Sequence, residues 1–284
     1  METRIEYVGS WPNNCNRPWN MSWALIAGGS KGIGYAVSEA LGRRGYDILL
    51  VARDGQGLAA AKNKLEGELP VRVETFAADL SLPDSAGDIA NWCRDNAFEL
   101  NILCHVAGMG GAKDYLRLPV SELNRMVSVN FVSPMSLTLS MLPMLQKNAP
   151  SFILNTASLA GFAPFPFKNI YSATKSAVLF FSYSLRNQLK EKNISVSCLC
   201  PGPVFTKPDI ETETRKKLGW FGSQMAMEPD MVGEIAVRQM MNGRMIIVPG
   251  KLSFLASVLL RLLPAGILAR ILSERPNANL TDII

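Results

Sequence analysis

Residues 23–34 read WALIAGGSKGIG, and this stretch decides the fold. Its first five residues form an apolar run with the length of a buried strand, and glycines follow at positions 28, 32 and 34. Apolar residues then recur at helical spacing as far as Leu41. The order of strand, glycine turn and helix predicts a loop whose backbone approaches a phosphate group at the helix N-terminus.

Strand-like and helical segments alternate along the rest of the chain. The other predicted strands are residues 48–52, 71–77, 102–106, 151–156, 194–199 and 245–248, and further helices are predicted at 58–65, 83–96, 121–146, 170–191 and 229–242. This alternation predicts an α/β fold, a single Rossmann-type doubly wound parallel sheet with helices on both faces. We assign 1–22 to an N-terminal extension, 23–250 to the dinucleotide-binding catalytic domain and 251–284 to an apolar C-terminal extension.

Composition excludes several classes of protein. The chain has 284 residues, 48% hydrophobic and 19% charged, which is typical of a soluble globular protein. A single histidine, His105, argues against His-ligated metal sites and a Ser-His-Asp hydrolase, and we expect no metal. Five cysteines without zinc-type spacing indicate reduced thiols and a cytoplasmic location. The net charge of +5 is scattered rather than clustered, so we expect no nucleic-acid partner.

The end of the second strand indicates which dinucleotide would bind. NAD-binding folds usually place an acid there to hold the ribose hydroxyls, but this chain has Arg53. A guanidinium at that point suits a 2′-phosphate, and Lys31 in the glycine turn could reach the same group. We therefore expect NADP(H) as cofactor, with Asp54 pointing elsewhere. The alternative is that both cations are solvated loop charges.

A tyrosine and a lysine stand four residues apart in the predicted helix 170–191. This spacing puts Tyr171 and Lys175 on one helix face, and Ser158 follows the carboxyl end of the strand 151–156, the edge where parallel sheets bind ligands. With the glycine turn, these residues resemble the short-chain dehydrogenase/reductase superfamily over roughly residues 23–250.

The resemblance extends to further motifs. Asp79 before Leu80 is similar to the family's adenine-contacting pair, Asn130 matches the helix asparagine of the catalytic tetrad, and residues 201–206 resemble the Pro-Gly turn at the nicotinamide end. The chain departs from the family at the Asn-Asn-Ala-Gly motif, which reads His105, Val106, Ala107, Gly108, and Ala27 replaces a threonine. The expected cofactor-binding residues are Gly28, Ser30, Lys31, Gly32, Ile33, Gly34, Arg53, Asp79, Leu80, Ala107, Gly108, Tyr171, Lys175, Pro201, Gly202, Val204 and Thr206.

Carbonyl reduction requires a proton donor, because hydride addition turns the carbonyl oxygen into an alkoxide. We expect Tyr171 to donate this proton, with its pKa lowered by the Lys175 ammonium and an oxidised nicotinamide, while Ser158 holds the carbonyl oxygen. The resemblance implies that Lys175 also positions the nicotinamide ribose and that Asn130 anchors a water. His105 is expected to be a hydrogen-bonded replacement for the family's asparagine, the alternative being a pH-sensitive cofactor site.

Apolar residues close to Ser158 and Tyr171 in sequence predict an apolar substrate. They are Met109, Phe162, Pro164, Phe165, Pro166 and Phe167, and residues 206–229 are expected to form a flap. We expect NADPH-dependent reduction of a lipid-like, steroid or 3-ketoacyl carbonyl. The sequence motif at Tyr171 resembles that of the branch of 17-beta-hydroxysteroid, long-chain 3-ketoacyl and 3-ketosphinganine reductases. The alternatives are NADP-dependent alcohol oxidation and a non-catalytic NADP(H)-binding regulator.

The segment 252–272 is strongly apolar but contains Arg261, Pro264 and Arg270, which argues against a spanning helix. Two explanations of this segment remain: it packs against the body of the protein or a second subunit, or it makes peripheral contact with a membrane surface. The superfamily commonly pairs subunits through the helix that carries the Tyr-x-x-x-Lys motif. The resemblance therefore implies a homodimer or homotetramer.

Overall fold

A seven-stranded parallel sheet forms the centre of the protein. The structure, a computed structural model, describes residues 22–110, 118–165, 168–205 and 224–273. The strands are β1 (Trp23–Ala27), β2 (Asp47–Ala52), β3 (Val73–Ala77), β4 (Leu100–His105), β5 (Ser151–Thr156), β6 (Ile194–Leu199) and β7 (Ile246–Ile247). Their spatial order is β3-β2-β1-β4-β5-β6-β7, and every neighbouring pair is parallel. The predicted Rossmann-type fold is confirmed.

Helices cover both faces of this sheet. They are α1 (Gly32–Gly42), α2 (Gly55–Glu68), α3 (Ser85–Asp95), α4 (Val120–Val127), α5 (Ser133–Lys147), α6 (Asn169–Leu189), α7 (Pro229–Met241), α8 (Lys251–Leu262) and α9 (Ala265–Ser273). Helices α1, α2 and α7 bury apolar side chains in one cluster, whereas α3, α5 and part of α6 bury theirs in another. Because both faces are covered, strands such as β1 and β5 are buried along their whole length.

Strand bounds agree with the prediction to within one residue except at the starts of β3 and β4, and β4 begins at Leu100 rather than 102. Strand β3 begins at Val73 rather than 71, since the Val71 amide donates to the Leu69 carbonyl oxygen at 2.9 Å in a tight turn. Strand β7 keeps only two residues, Ile246 and Ile247, where four were predicted. An edge strand pairs with a neighbour on one side only, and a short edge strand leaves few backbone groups unpaired.

The single helix predicted at 121–146 is interrupted. Between α4 and α5 the residues Ser128–Val132 form one π-helical turn, and Asn130 within it is buried. A π-turn inserts an extra residue into the helix and changes which side chains face the core. Among the described residues, the span Val120–Lys147 is the one helical stretch that could cross a membrane, judged by its length and apolar composition alone. Its side chains Leu137, Met141 and Leu145 are fully buried in the core beside the sheet.

The apolar segment after β7 folds as two helices, α8 and α9, with Leu263 and Pro264 between them. Several parts of the sequence prediction lie outside the described residues. They are the N-terminal extension through residue 21, Pro166, Phe167, Thr206, most of the flap at 206–229, and residues 274–284.

Candidate active site

A groove of about 500 Å³ opens at the carboxyl ends of the central strands. It lies where the strand order turns from β1 toward β2 on one side and toward β4 on the other, the position at which parallel sheets bind ligands. The predicted cofactor residues that line it are Gly28, Ser30, Lys31, Gly32, Ile33, Gly34, Arg53, Asp79, Leu80, Ala107 and Gly108. The structure also adds Ala52, Asp54, Ala78, Val106, Met109 and Val129 to the lining.

The glycine turn brings the first and fourth strands' loops into close contact. Gly28 has a φ of +93°, and a Cβ there would lie 2.5 Å from the Ala107 nitrogen. A Cβ on Gly34 would lie 1.9 Å from the Gly28 carbonyl oxygen. Lys31, which precedes α1, makes no side-chain cap, so the first amides of the helix keep their donors for an anion. This arrangement fits a dinucleotide pyrophosphate.

Two cations and one acid lie at the end of the groove near β2 and β3. Arg53 and Lys31 are exposed and line it, as expected for a 2′-phosphate site. Asp54 is also among the lining residues, and its Oδ1 accepts a hydrogen bond from the Gln56 amide at 3.1 Å, so the carboxylate turns toward the start of α2. The carboxylate caps α2.

Asp79 is held as a carboxylate by its neighbours. Burial alone would raise its pKa, but hydrogen bonds from the Ser81 amide and hydroxyl, together with the charges of Arg125 and Arg53, lower the pKa below its ordinary value. The Ser81 hydroxyl lies 2.7 Å from Oδ1, and Arg125 Nη2 lies 3.0 Å from Oδ2. Asp79 therefore presents a fixed negative charge to the groove.

The structure brings Ser158, Tyr171 and Lys175 together beside the groove. Ser158 follows β5 and caps a 3₁₀ turn, Leu159–Phe162, through a 3.2 Å hydrogen bond from the Ala160 amide. Its hydroxyl lowers the pKa of Tyr171, against the larger rise caused by burial. Lys175 Nζ lies 5.8 Å from the Tyr171 ring centroid. The four-residue spacing on α6 thus converges on one point, as predicted.

Lys175 is a buried cation, and within the described residues its ammonium has one hydrogen-bond partner, a backbone carbonyl. Its side chain is 3% exposed, and Nζ donates to the Thr156 carbonyl oxygen at 2.8 Å. Burial lowers the pKa of Lys175 to about 8, an effect that Cys198 and Cys200 oppose. The ammonium form still predominates at neutral pH.

Asn130 joins the loop after β4 to α6. Its Oδ1 accepts from the Met109 amide at 2.7 Å, and its Nδ2 donates to the Met109 carbonyl oxygen at 2.8 Å and to the Thr174 hydroxyl at 3.1 Å. The side chain therefore closes the floor of the site. A Cβ on Gly108 would lie 3.4 Å from Lys175 Nζ and 3.6 Å from Asn130 Oδ1, so this floor is packed closely.

Known proteins are similar to this chain in sequence and fold. The short chain dehydrogenase family matches residues 22–217. The chain belongs to this family. The very-long-chain 3-oxoacyl-CoA reductase of Mus musculus is 30% identical over 217 residues, which cover 71% of this chain and 69% of that protein. The protein is an oxidoreductase of the short-chain dehydrogenase/reductase type, and the relative's name supports the predicted ketoacyl branch.

Two solved structures are also similar to this short-chain dehydrogenase. A short-chain dehydrogenase from Sphingobium yanoikuyae in complex with NADPH is 27% identical with a TM-score of 0.72, and the match covers 91% of this chain and 98% of that one. A bulky-bulky ketone specific alcohol dehydrogenase from Comamonas testosteroni is 25% identical with a TM-score of 0.72, covering 92% and 97%.

His105 is a structural residue of this short-chain dehydrogenase. It is 3% exposed at the end of β4, and its Nε2 lies 2.9 Å from the Thr138 hydroxyl oxygen. Burial lowers its pKa to about 3, so the imidazole is neutral at physiological pH. The buried hydrogen bond with Thr138 matches the expected hydrogen-bonded replacement, and a neutral imidazole does not support the alternative of a pH-sensitive cofactor site.

Five predicted cofactor residues lie outside the lining of the groove: Tyr171 and Lys175, which lie beside it, and Pro201, Gly202 and Val204. Pro201, Gly202 and Val204 follow β6, and the Pro201 carbonyl oxygen accepts from the Leu159 amide at 3.0 Å. They therefore stand behind the turn that Ser158 begins.

Sequence reasoning missed three contributors to the site: Thr156, Thr174 and Arg125. Thr174 stands inside the Tyr-x-x-x-Lys motif, so its position was available from the sequence. Arg125 has no local signal, because it reaches Asp79 through a contact between distant parts of the chain.

Proposed function

We propose that this enzyme reduces a carbonyl group to an alcohol with NADPH, and that Tyr171 supplies the proton. The observation that carries the proposal is the convergence of Ser158, Tyr171 and the buried Lys175 ammonium beside a dinucleotide groove, with Lys175 Nζ 5.8 Å from the Tyr171 ring centroid. A hydroxyl pair of this kind can hold one carbonyl oxygen from two sides.

The groove residues would hold NADP(H), which supplies the hydride when bound. The first amides of α1 and the turn at Gly28 would hold the pyrophosphate. Arg53 and Lys31 would bind the 2′-phosphate, since a guanidinium and an ammonium both form charge-assisted hydrogen bonds with a phosphate. The NADPH complex of the Sphingobium relative supports this assignment.

Tyr171 keeps its proton in the resting protein. Burial raises the pKa of Tyr171 above its ordinary value, and the hydrogen bond with Ser158 opposes that shift. The expected lowering by Lys175 is therefore not a property of these protein groups alone. A phenol that stays protonated at neutral pH suits a proton donor, and Lys175 would stabilise the phenolate left after transfer.

An apolar carbonyl compound is the proposed substrate. Phe162 ends the 3₁₀ turn that starts after Ser158, and the apolar residues Pro164 and Phe165 follow it in the chain. The mouse relative is named for a very-long-chain 3-oxoacyl thioester, and the Comamonas relative for bulky ketones. We infer a substrate with a large apolar group, a long-chain 3-oxoacyl thioester or a bulky ketone.

The location and assembly of the enzyme are also proposals. Cys93, Cys104, Cys198 and Cys200 are free and buried in the described structure, which suits a cytoplasmic location. Helix α6 would pair subunits in a homodimer or homotetramer, because exposed apolar side chains such as Phe180 lie on it.

Replacement of Tyr171 by Phe tests the mechanism. We expect a loss of turnover of roughly 10²–10⁴-fold, the usual contribution of a general acid, with NADPH affinity nearly unchanged. Oxidation of NADPH would be followed by absorbance with long-chain 3-oxoacyl and bulky ketone substrates, and affinity by fluorescence titration. Tyr35→Phe is the matched control, since its buried hydroxyl has no hydrogen-bond partner in the described structure.

Each outcome decides between the candidates. Wild-type activity in Tyr171→Phe would refute the assigned proton donor. Tight NADPH binding by the wild type without turnover in either direction would favour the regulator, and faster turnover of alcohols with NADP⁺ would favour the oxidative direction.

A further inference from the structure

The last two described helices, α8 and α9, expose many large apolar side chains. Leu255 is 56% exposed on α8, and Leu262 at its end is 73% exposed. Half of the exposed large apolar side chains in the described structure belong to this short segment: Leu252, Phe254, Leu255, Leu259, Leu262, Leu263, Ile267 and Ile271. We call them the C-terminal apolar face. Isolated exposed leucines are ordinary, but a cluster of this size marks an interaction surface.

The charges in this segment have one sign. Residues 251–273 contain Lys251, Arg261 and Arg270 and no Asp or Glu, so the segment carries a net charge of +3. An apolar face flanked by cations alone is complementary to a surface that is apolar within and anionic at its boundary. An anionic lipid surface has both properties.

Two other occupants fit less well. The 12 residues of α8 span about 18 Å at 1.5 Å per residue, and Pro264 ends the helix, so neither helix crosses a bilayer core of roughly 30 Å. A second copy in a two-fold contact would bring another +3 to the same face, in a chain whose net charge is already +5. Like charges would then meet across the contact.

Helix α8 also adjoins the substrate side of the catalytic site. A Cβ on Gly202, in the turn after β6, would lie 2.6 Å from Ser253 Oγ, so the helix packs directly on that turn. The Arg261 guanidinium lies 5.2 Å from the ring centroid of Phe162, which ends the 3₁₀ turn started at Ser158. The apolar face is therefore next to the site where an apolar carbonyl would enter.

We propose that α8 and α9 are an interfacial anchor that binds an anionic lipid surface and opens the active site toward substrates dissolved in it. The statement about substrate entry rests on the proposed function, whereas lipid binding does not.

Vesicle co-sedimentation tests the anchor. The full chain would be mixed with vesicles of phosphatidylcholine and phosphatidylglycerol in equal parts, and with vesicles of phosphatidylcholine alone. We expect binding to the anionic vesicles, weakened by salt, and a loss of at least about tenfold in Leu255→Gln/Leu259→Gln. The matched control is Val120→Gln/Met231→Gln, two exposed apolar residues outside the face, which should bind like the wild type.

Three results would overturn the anchor: no binding to anionic vesicles, equal binding by the Leu255→Gln/Leu259→Gln variant, or dissociation of an oligomer by that variant without vesicles, which would assign the face to a second copy. NADPH oxidation with a water-soluble ketone separates this failure from that of the proposed function. Turnover without vesicle binding would remove the anchor and keep the reductase. Vesicle binding without any turnover would keep the anchor and remove the reductase.

Substrate entry has its own readout. With a long-chain ketone held in anionic vesicles, the Leu255→Gln/Leu259→Gln variant should lose activity about in proportion to its lost binding, while turnover of the water-soluble ketone stays at the wild-type level. Equal activity of variant and wild type on the vesicle-held ketone would refute entry from the lipid surface.

Discussion

Arg53 is the residue on which the choice between NADPH and NADH should depend. Its guanidinium lines the groove at the end of β2, where an acid would repel a 2′-phosphate. We expect Arg53→Ala to weaken NADPH binding by roughly 10–100-fold, the effect of losing one charge-assisted hydrogen bond, and to leave NADH binding unchanged. Fluorescence titration with both nucleotides measures this. Arg43→Ala, which removes an exposed arginine outside the groove, is the control, and an equal loss for both nucleotides would contradict the assignment.

His105 should make the protein sensitive to acid through its stability. Burial lowers its folded-state pKa from 6.5 to about 3, so the unfolded chain binds a proton between these values and the folded protein does not. Stability from this group is full above pH 6.5 and falls as the pH drops toward 3. We expect the wild type to lose about 2 kcal/mol more than His105→Asn between neutral pH and about pH 5.

Urea unfolding at the two pH values measures this difference. His105 is the single histidine, so an NMR titration of its ring protons in the wild type gives an independent reading that does not require the variant to fold. Titration near pH 6.5 in the folded protein would contradict the prediction.

At the scale of elements, α1 and α7 depend on a glycine for their contact. A Cβ on Gly233 of α7 would lie 2.6 Å from the Ala36 carbonyl carbon of α1, and a side chain there would force the helices apart. We expect Gly233→Ala to lower the free energy of unfolding by about 1–3 kcal/mol. Gly87→Ala in α3 is the matched control, because a Cβ there meets nothing within 4 Å.

The control should leave stability unchanged or raise it by up to about 1 kcal/mol, since alanine is the better helix former. Urea denaturation of both variants gives the comparison. Equal stability of the two variants would show that the helices shift to accept the methyl group.

At the scale of the whole molecule, α5 and α6 present apolar side chains that a subunit contact would bury. Leu139 on α5 is 63% exposed and Phe180 on α6 is 69% exposed. We expect Phe180→Glu to shift a dimer or tetramer toward the monomer, because a buried carboxylate without a partner is costly. Sedimentation velocity measures the shift, and Leu82→Glu, an exposed residue outside these helices, is the control. A wild-type monomer would refute the proposed assembly.

Some positions in the site could be predicted from the sequence, whereas the contacts of others could not. Tyr171 and Lys175 were placed on one face by helical spacing alone, and the glycine turn followed from the residues between β1 and α1. The partners of Asn130 were not available, since they are the backbone of Met109 and the hydroxyl of Thr174, which meet it only after the chain folds. The π-turn that directs Asn130 inward has no period that distinguishes it from the surrounding helix.

The sequence by itself determined the alternation of strands and helices along the chain, the phosphate-binding turn and the pairing of Tyr171 with Lys175. Each of these depends on short-range spacing and backbone sterics. Only the tertiary structure decided the neutral state of His105, the Asp79 contact with Arg125 and the exposed side of α8 and α9. Burial and charge contacts depend on which distant segments pack together, and local periodicity carries no record of that.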